Sequence, residues 1–378
     1  MVTTNNIPTH PEGKTMKAVC FSSFGKDPKK VLEVKTIPRP FIISGDGDDG
    51  TTTTTTTKSQ LLLIKVHACA LNPIDKIRLN GDLAAIKPEQ FTDNNVLGYD
   101  VSGVIEEITS SSSSSSSFKV GDEVYVRLAG MAYGALSEYV VCSATEVALK
   151  PTSISFSEAA SFPLAGLTAY QSLKRGGVKE GSKVFIPGGA GGVGSLAIQI
   201  AKSVFKAGYV CTTASPGQGT ELCKELGADR IIDYRSEDFE TVLKGEDFDM
   251  AFDTMHQGDK MGTLLKKGGK VISISGPPSI EAIEEGMNGN VGFVVKMFMF
   301  LTRNRKAEKA AQKAGGSWEY IFMKPSGDDL KKLGAFLERG EIKAVIDTEV
   351  DGIDNFMTAV DKLWSGRSKG KCVIKIIV

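Results

Sequence analysis

The chain has 378 residues, of which 41% are hydrophobic and 24% charged, with 45 basic and 45 acidic side chains. The length suggests two or three domains, and the proportions are typical of a globular protein. The formal net charge of zero gives no electrostatic reason to expect a nucleic acid or an anionic membrane as partner.

Cysteines and terminal segments bound the cellular setting. The six cysteines are scattered without a Cys-x-x-Cys pair, which favours free thiols in a reducing compartment. Residues 1–15 lack the apolar stretch of a secretory signal, and we expect them to form a disordered tail. The apolar run 291–301 is interrupted by Lys296 and is too short to span a bilayer. We expect a cytoplasmic protein, or an organellar stromal one whose transit peptide has been removed, with no integral membrane segment.

The N-terminal half is rich in β-like segments. Apolar patterning predicts strands at residues 16–21, 31–35, 61–67, 101–108, 123–127 and 137–141. Two homopolymers interrupt this half, seven threonines at 51–57 and eight serines at 110–117. Neither tract can bury apolar surface, so we expect both to be loop insertions, the second within a hairpin.

Beyond residue 150 strands and helices alternate. After a helix at 157–173, strands are predicted at 184–186, 209–213, 231–233, 250–253, 270–275 and 320–323, with helices at 220–226, 260–266 and 303–313. This alternation indicates a parallel sheet with helices on both faces. Residues 326–378 are predicted to form helix 329–339, strand 344–347, helix 353–364 and strand 372–378, and we assign them to the strand-rich half.

Residues 183–202 combine an apolar strand, a glycine-rich turn and an amphipathic helix. Gly189, Gly191 and Gly194 fit the pattern GxGxxG. The first glycine permits a tight turn, the second lets the backbone approach a pyrophosphate, and the third lets the helix pack closely on the strand. The helix N-terminus then faces the anionic phosphates. The pattern predicts a dinucleotide-binding turn made of Gly189, Ala190, Gly191, Gly192, Val193 and Gly194.

Seven further segments, in order, carry a family resemblance. They are ALNPIDKIRLNG (70–81), LGYDVSGVI (97–105), KVGDEVY (119–125), GALSEY (134–139), AASFPLAGLTAYQSL (159–173), LGADRIIDY (226–234) and SGRSKGKCVI (365–374). Together they resemble the medium-chain dehydrogenase/reductase superfamily, and within it the zinc-free quinone oxidoreductase and NADPH-dependent alkenal/enone oxidoreductase branch. The resemblance implies an α/β fold with a GroES-like β-rich catalytic domain at 16–150, completed by 326–378. It also implies a Rossmann domain, a doubly wound parallel sheet, at 151–325.

Three positions of the resemblance concern a metal. Zinc-dependent members carry ligands where this chain has Asn72, Tyr99 and Leu164, and they carry a cysteine-rich zinc lobe that is absent here. We therefore expect no metal. Without a Lewis acid to stabilise an alkoxide, alcohol oxidation is disfavoured. A quinone or an enone is a better acceptor, because it spreads the charge of the arriving hydride and hydrogen-bond donors can stabilise it.

The choice of nicotinamide cofactor depends on residues after the second strand of the parallel sheet. NAD-specific sites place an acid there, and residues 209–220 contain none, so we predict NADPH. Thr213 and Ser215 are candidate donors to its 2′-phosphate. Related reductases usually have a basic residue at Gln218, so the source of the opposing charge stays open.

The resemblance adds cofactor contacts elsewhere in the chain. It implies that Tyr234 lies near the adenosine and that Arg367 reaches the phosphate, with Lys369 as the alternative. An ordinary solvated turn is the competing interpretation of Arg367. We also expect Ser275 and Gly276 to bind the cofactor.

Candidate catalytic residues lie in the strand-rich half. The amide of Asn72 can hydrogen-bond the nicotinamide ribose or a substrate carbonyl, although a turn residue is the alternative. Tyr99 is expected to line the cleft. Related alkenal reductases carry a lysine at Ile77, and we expect its role to have moved to Lys76 or Arg78, or to be lost.

The sequence thus predicts hydride transfer from NADPH to a quinone or to the C=C bond of an α,β-unsaturated carbonyl. We expect a small-molecule substrate and no nucleic acid as partner, with a homodimer left open. The alternative from another functional class is an NADPH-binding scaffold or sensor with little turnover, favoured by the departures at Gln218 and Ile77.

Overall fold

The computed structural model describes residues 13–42, 60–82, 84, 91, 95–109, 118–129, 134–287 and 303–377. The tail up to residue 12, both homopolymers and the apolar run 291–301 lie outside these residues, so the predictions for them are not addressed by the structure. The chain forms two compact units. The first unit comprises Met1–Leu164, Pro325–Arg339 and Ile346–Val378, and the second unit comprises Ala165–Lys324 and Gly340–Val345.

Within the described residues, both units mix strands and helices. The strands are β1 (Thr15–Phe21), β2 (Glu33–Pro38), β3 (Leu61–Leu71), β4 (Asn95–Val96), β5 (Asp100–Ile108), β6 (Glu123–Arg127), β7 (Tyr139–Ser143), β8 (Val147–Leu149), β9 (Lys183–Ile186), β10 (Tyr209–Ala214), β11 (Arg230–Asp233), β12 (Phe248–Asp253), β13 (Leu265–Ser273), β14 (Ser317–Tyr320), β15 (Ile346–Asp351) and β16 (Lys371–Lys375). The helices are α1 (Pro28–Val31), α2 (Pro73–Asn80), α3 (Phe156–Ser161), α4 (Pro163–Arg175), α5 (Gly192–Ser203), α6 (Gln218–Glu225), α7 (Phe239–Val242), α8 (Gly258–Gly262), α9 (Ile280–Met287), α10 (Arg305–Lys313), α11 (Gly327–Glu338) and α12 (Phe356–Trp364). Single 3₁₀ turns lie at Ala144–Glu146 and Ile353–Asn355.

The first unit contains two sheets. A three-stranded sheet has the order β2-β1-β4, and a larger one has the order β15-β16-β3-β5-β6-β8, with β7 also paired to β3. Strands β5 and β6, which flank the serine tract, pair antiparallel with Ser102 opposite Tyr125, as the predicted hairpin requires. The C-terminal strand β16 pairs with β3, so the end of the chain completes this sheet.

Strand β3 is buried along most of its length because both of its faces are covered. Helix α3 lies on one face, where His67 stacks on Phe156 with 4.1 Å between ring centroids. Ala68 and Ala70 of the strand pack with Ala160 of the helix. These small residues extend the strand beyond its predicted end at residue 67.

The second unit is organised around one parallel sheet with the order β11-β10-β9-β12-β13-β14. From β9 the chain passes to β10 and β11 on one side and then returns to β12 on the other. Strand β9 is therefore the point where the strand order reverses, and ligands bind at the carboxyl edge of such a point. The doubly wound sheet and the β-rich first unit confirm the predicted fold class.

Two predicted elements are wrong because of proline and its neighbours. The helix predicted at 157–173 is divided at Phe162 into α3 and α4, since Pro163 has no backbone N–H to continue the first helix. The strand predicted at 31–35 begins only at Glu33. Pro28 starts α1 in its place, and the Asp27 side chain accepts a hydrogen bond from Lys29 N at 3.1 Å.

A third correction concerns the helix predicted at 260–266. Helix α8 ends at Gly262, and Leu265 already belongs to β13, where it pairs with Phe248. Leu264 and Leu265 are both buried in the core of the second unit. Because these two leucines are buried beside the sheet, the chain does not form the last turn of the predicted helix.

The boundaries of the two units differ from the predicted domain limits. The first unit extends to Leu164, since α3 packs on β3 and β5, whereas the predicted limit was residue 150. Residues Gly340–Val345 belong to the second unit. Gln199 of α5 holds them, because its Nε2 donates to Lys343 O at 3.0 Å and its Oε1 accepts from Lys343 N at 2.8 Å.

Candidate functional site

The glycine turn connects β9 to α5 at the carboxyl edge of the parallel sheet. Gly188 has a φ of 69°, a conformation that favours glycine. Thr213 at the end of β10 holds the turn twice, through its hydroxyl to Gly188 N at 3.0 Å and through its carbonyl to Gly189 N at 3.0 Å. Thr213, which is predicted to contact the cofactor, is thus placed here to hold the turn.

The three motif glycines differ in what excludes a side chain. A Cβ at Gly189 would collide with Thr212 Oγ1, and one at Gly194 would collide with the carbonyl oxygen of Gly188. These two glycines are required by the packing of the protein itself. At Gly191 a Cβ would meet only Gly188 O at 3.2 Å, and the backbone is ordinarily extended. The space beside Gly191 is therefore open to a ligand, which fits the predicted pyrophosphate.

Further predicted cofactor residues lie at the same edge of the second unit. Ser215 and Gln218 follow β10, and Tyr234 follows β11 with 57% of its surface exposed. Neighbouring parallel strands bring their carboxyl ends together, so these three residues lie on the β10–β11 side of the glycine turn. No Asp or Glu lies between residues 209 and 220. This side of the edge therefore presents hydroxyl, amide and aromatic groups.

The β12–β13 side of the edge contains groups that sequence reasoning missed. Buried Asp253 at the end of β12 accepts hydrogen bonds from Met255 N at 3.2 Å and Gln257 N at 2.9 Å. Exposed His256 lies between those residues, and its Nδ1 is 3.5 Å from the carbonyl oxygen of Ser275. The predicted contacts Ser275 and Gly276 lie beside this imidazole. No spacing in the sequence marked His256.

In the first unit, Asn72 lies in a buried polar cluster. Its Nδ2 donates to Asp100 Oδ2 at 2.9 Å and to Ala70 O at 3.3 Å. Its Oδ1 accepts from Lys371 Nζ. Both amide N–H groups are thus engaged within the protein. Asn72 and Lys371 are 2% and 5% exposed, so the ammonium and its partners are held away from solvent.

Asp100 is the centre of this cluster. Its Oδ2 lies 3.2 Å from Lys371 Nζ, and its Oδ1 accepts from Leu164 N at 2.8 Å. Of the three positions compared with zinc ligands, Asn72 and Leu164 each donate a hydrogen bond to Asp100. The third, Tyr99, directly precedes Asp100 in the chain. Within the described residues, no group of three or more His, Cys, Asp and Glu side chains is placed to hold a metal ion.

Asp75 links the cluster to the following loop. Its Oδ2 accepts from Asn72 N at 2.7 Å and its Oδ1 from Gly98 N at 3.1 Å. Burial raises the pKa of Asp75 to about 7, and the Asp100 carboxylate acts in the same direction. Through its two hydrogen bonds, Asp75 positions the backbone of Asn72 and Gly98.

The remaining catalytic candidates have different surroundings. Tyr99 is 4% exposed, and the Arg127 guanidinium lies 5.0 Å from its ring centroid. Arg78 is buried, donates to Val96 O at 2.9 Å and lies over the ring of Phe21, so its guanidinium belongs to the core.

Lys76 is half-buried and donates to Trp364 O at 3.2 Å. Its neighbour Ile77 is exposed. Arg367 and Lys369 lie in the turn before β16, where Arg367 is exposed and its backbone N donates to Ser365 Oγ at 3.2 Å. The exposed guanidinium is accessible to a ligand.

Two family models match the chain. Residues 58–152 match the alcohol dehydrogenase GroES-like domain, and residues 226–374 match a model described as zinc-binding dehydrogenase. None of the described helices is long and apolar enough to cross a bilayer.

Curated relatives and solved structures resemble most of the chain. A 2-methylene-furan-3-one reductase of Solanum lycopersicum is 38% identical over 83% of this chain and 71% of its own length. A chloroplastic NADPH-dependent alkenal/one oxidoreductase of Arabidopsis thaliana is 36% identical over 76% of this chain and 64% of its own length. The structure of a quinone oxidoreductase from Coxiella burnetii superposes with a TM-score of 0.75 at 31% identity, covering 96% of this chain and 100% of that one. The chain therefore belongs to the medium-chain dehydrogenase/reductase superfamily, in its zinc-free quinone and alkenal/enone oxidoreductase branch.

Proposed function

We propose that this protein transfers a hydride from NADPH to a quinone or to the C=C bond of an α,β-unsaturated carbonyl, without zinc. The observation that carries the proposal is the glycine turn. The packing of the protein does not explain why residue 191 is a glycine, and the space beside it is open to a ligand. The relatives support the substrate class, because their names describe reduction of a methylene-furanone, an alkenal or enone, and a quinone. All of these are conjugated carbonyl acceptors.

The residues available to hold the cofactor divide by the part that each would bind. Backbone N–H groups of the turn and of the α5 N-terminus suit the pyrophosphate. Thr213, Ser215, Gln218 and Tyr234 on the β10–β11 side suit the adenosine half, and Ser275 and Gly276 suit the other half. Arg367 or Lys369 would supply charge to the 2′-phosphate. When bound, the nicotinamide supplies the hydride.

The hydrogen bonds of Asn72 favour one of its two predicted roles. With both amide N–H groups engaged, Asn72 has no hydrogen left to donate to a substrate carbonyl. We infer that it does not stabilise a substrate oxyanion, which leaves the nicotinamide ribose as its predicted partner. Arg78 is engaged in the core, so Lys76 remains the candidate of that pair.

Turnover assays test the proposal. The absorbance of NADPH and of NADH is followed with a panel of alkenals, enones and quinones, with and without a chelator. We expect turnover of several acceptors, preference for NADPH and no loss of rate with the chelator. Tight NADPH binding without turnover would support the scaffold or sensor alternative, whereas failure to bind either cofactor would overturn both.

We also infer a reducing compartment, cytoplasmic or organellar. All six cysteines are free and buried, which suits such a compartment, and the Arabidopsis relative is named as chloroplastic. A homodimer stays a prediction, which light scattering of the purified protein tests.

A further inference from the structure

We propose that His256 is a cofactor-binding residue, whose imidazole contacts the nicotinamide-ribose-phosphate half of NADPH. This inference rests on the proposed function, because it assigns a residue to the same site. It concerns a side chain that no sequence motif marked.

The first observation is the place of His256 in the sheet. It lies in the loop after β12, which neighbours β9 on the side opposite β10. The β10–β11 side carries the candidate contacts for adenosine. A dinucleotide crosses the carboxyl edge at the point where the strand order reverses, so the loop after β12 lies on its nicotinamide side.

The second observation is that this loop is braced against the glycine turn. Thr254 Oγ1 donates to Pro187 O at 2.9 Å, directly before the turn. Asp253 accepts from both backbone neighbours of His256, and its Oδ2 accepts from Ser273 Oγ at 3.0 Å. The backbone at His256 is therefore fixed by residues of β12, β13 and the turn.

The third observation is backbone strain. His256 has a φ of 57°, a left-handed conformation that is unfavourable for a residue with a Cβ, although histidine tolerates it better than most. A strained residue persists only where its surroundings determine it, and such residues cluster at functional sites. At His256 the braced loop enforces this conformation. The exposed imidazole therefore lies at the carboxyl edge of the sheet, where ligands bind.

The fourth observation is the space given to the ring. A Cβ at Gly276 would collide with the imidazole, so this glycine, with a φ of 83°, makes room for His256. Nδ1 is directed at Ser275 O at 3.5 Å, and the described residues offer Nε2 no hydrogen-bond partner. Nε2 is thus available to a ribose hydroxyl or a phosphate oxygen of the cofactor.

The test compares two substitutions of His256 with a matched control. His256→Gly relieves the strain and removes the imidazole, whereas His256→Asn keeps a residue that tolerates the left-handed conformation and removes only the ring. Lys206→Gly is the control, because exposed Lys206 also has a positive φ of 56° but precedes β10 at the opposite edge of the sheet. Kd values are measured by fluorescence for NADPH and for 2′,5′-ADP, which lacks the nicotinamide half, and the Tm is measured for each variant.

We expect both His256 variants to raise the Kd of NADPH roughly three- to tenfold, the effect of one lost hydrogen bond, and to leave that of 2′,5′-ADP unchanged. The Tm of His256→Gly should equal or exceed that of the wild type, and Lys206→Gly should bind both ligands normally. An unchanged NADPH Kd in His256→Asn, or equal weakening of both ligands, would overturn the inference. A wild-type protein that binds no NADPH would instead overturn the proposed function.

Discussion

At the scale of single residues, the glycine turn separates packing from ligand binding. Gly189 and Gly194 are glycines because neighbouring atoms of the protein occupy the space of a side chain. Gly191 has no comparable obstruction, and we propose that a bound ligand accounts for its lack of a side chain. The two kinds of glycine should respond differently to the same substitution.

We predict that Gly191→Ala keeps the free energy of unfolding within about 1 kcal/mol of the wild type, since its conformation is ordinary, and raises the NADPH Kd at least about tenfold. Gly194→Ala should lower the free energy of unfolding by about 1–3 kcal/mol, because its methyl group meets the backbone of Gly188. Denaturant unfolding and NADPH fluorescence measure the two quantities. Normal NADPH binding by Gly191→Ala would mean that the turn has only a structural role.

Residues that lie close together only in the fold were beyond sequence reasoning. The glycine spacing and the absence of an acid after β10 are local features, so the sequence alone reveals them. Lys371 and Asn72 are 299 positions apart, and their hydrogen bond depends on the pairing of β16 with β3. The place of His256 likewise depends on the strand order of the sheet.

At the scale of elements, we predict that the turn between α12 and β16 contributes to cofactor choice. This turn carries Arg367, whose side chain is exposed, and Lys369, two residues later. The edge after β10 contains no acid to repel a 2′-phosphate, but Gln218 brings no charge to attract it. We therefore expect the preference for NADPH to depend on a basic group from another element.

We predict that Arg367→Ala weakens NADPH binding roughly ten- to a hundredfold and leaves NADH binding nearly unchanged, since a hydrogen bond to a charged group contributes about 1.5–3 kcal/mol. Michaelis constants for both cofactors measure the effect. Lys362→Ala is the matched control, because this nearby lysine is paired with Asp347 at 3.0 Å. If the substitution weakens the binding of both cofactors equally, Arg367 has a role in folding and not in phosphate recognition. If it weakens the binding of neither, the contact with the 2′-phosphate belongs to Lys369.

Most strands and helices could be predicted where apolar residues form uninterrupted runs. β6 was predicted with its observed bounds, and β9 and β10 to within one residue. The failures lie where a local signal competes with the pattern. Pro163 divides a helix, Pro28 starts one, and Leu265 enters the sheet although its surroundings resemble a helix.

At the scale of the whole molecule, motif order predicted the fold, but the limits of the two units follow from packing. The first limit depends on α3 covering β3, and the assignment of Gly340–Val345 depends on the hydrogen bonds of Gln199. Each unit has its own hydrophobic core. Ligands of the second unit should therefore stabilise that unit first.

The six cysteines are distributed over both units, so the reactivity of their thiols can be followed in each unit. Burial raises the pKa of every one of these thiols, to about 11 for Cys20 and about 12 for Cys211 and Cys223. A thiol that is both buried and protonated reacts slowly with disulfide reagents. The first unit holds Cys20, Cys69, Cys142 and Cys372, and the second unit holds Cys211 and Cys223.

We predict that no thiol of the native protein reacts with a disulfide reagent within minutes at pH 7.5, and that all six react in denaturant. NADPH at about 100 times its Kd should stabilise the unit that binds it by about 2.7 kcal/mol. Cys211 and Cys223 should then need more urea to react, while the four thiols of the first unit shift less. Mass spectrometry of alkylated peptides at each urea concentration measures this. A fast-reacting native thiol would contradict the burial described above, and an equal shift of all six would show that the two units unfold together.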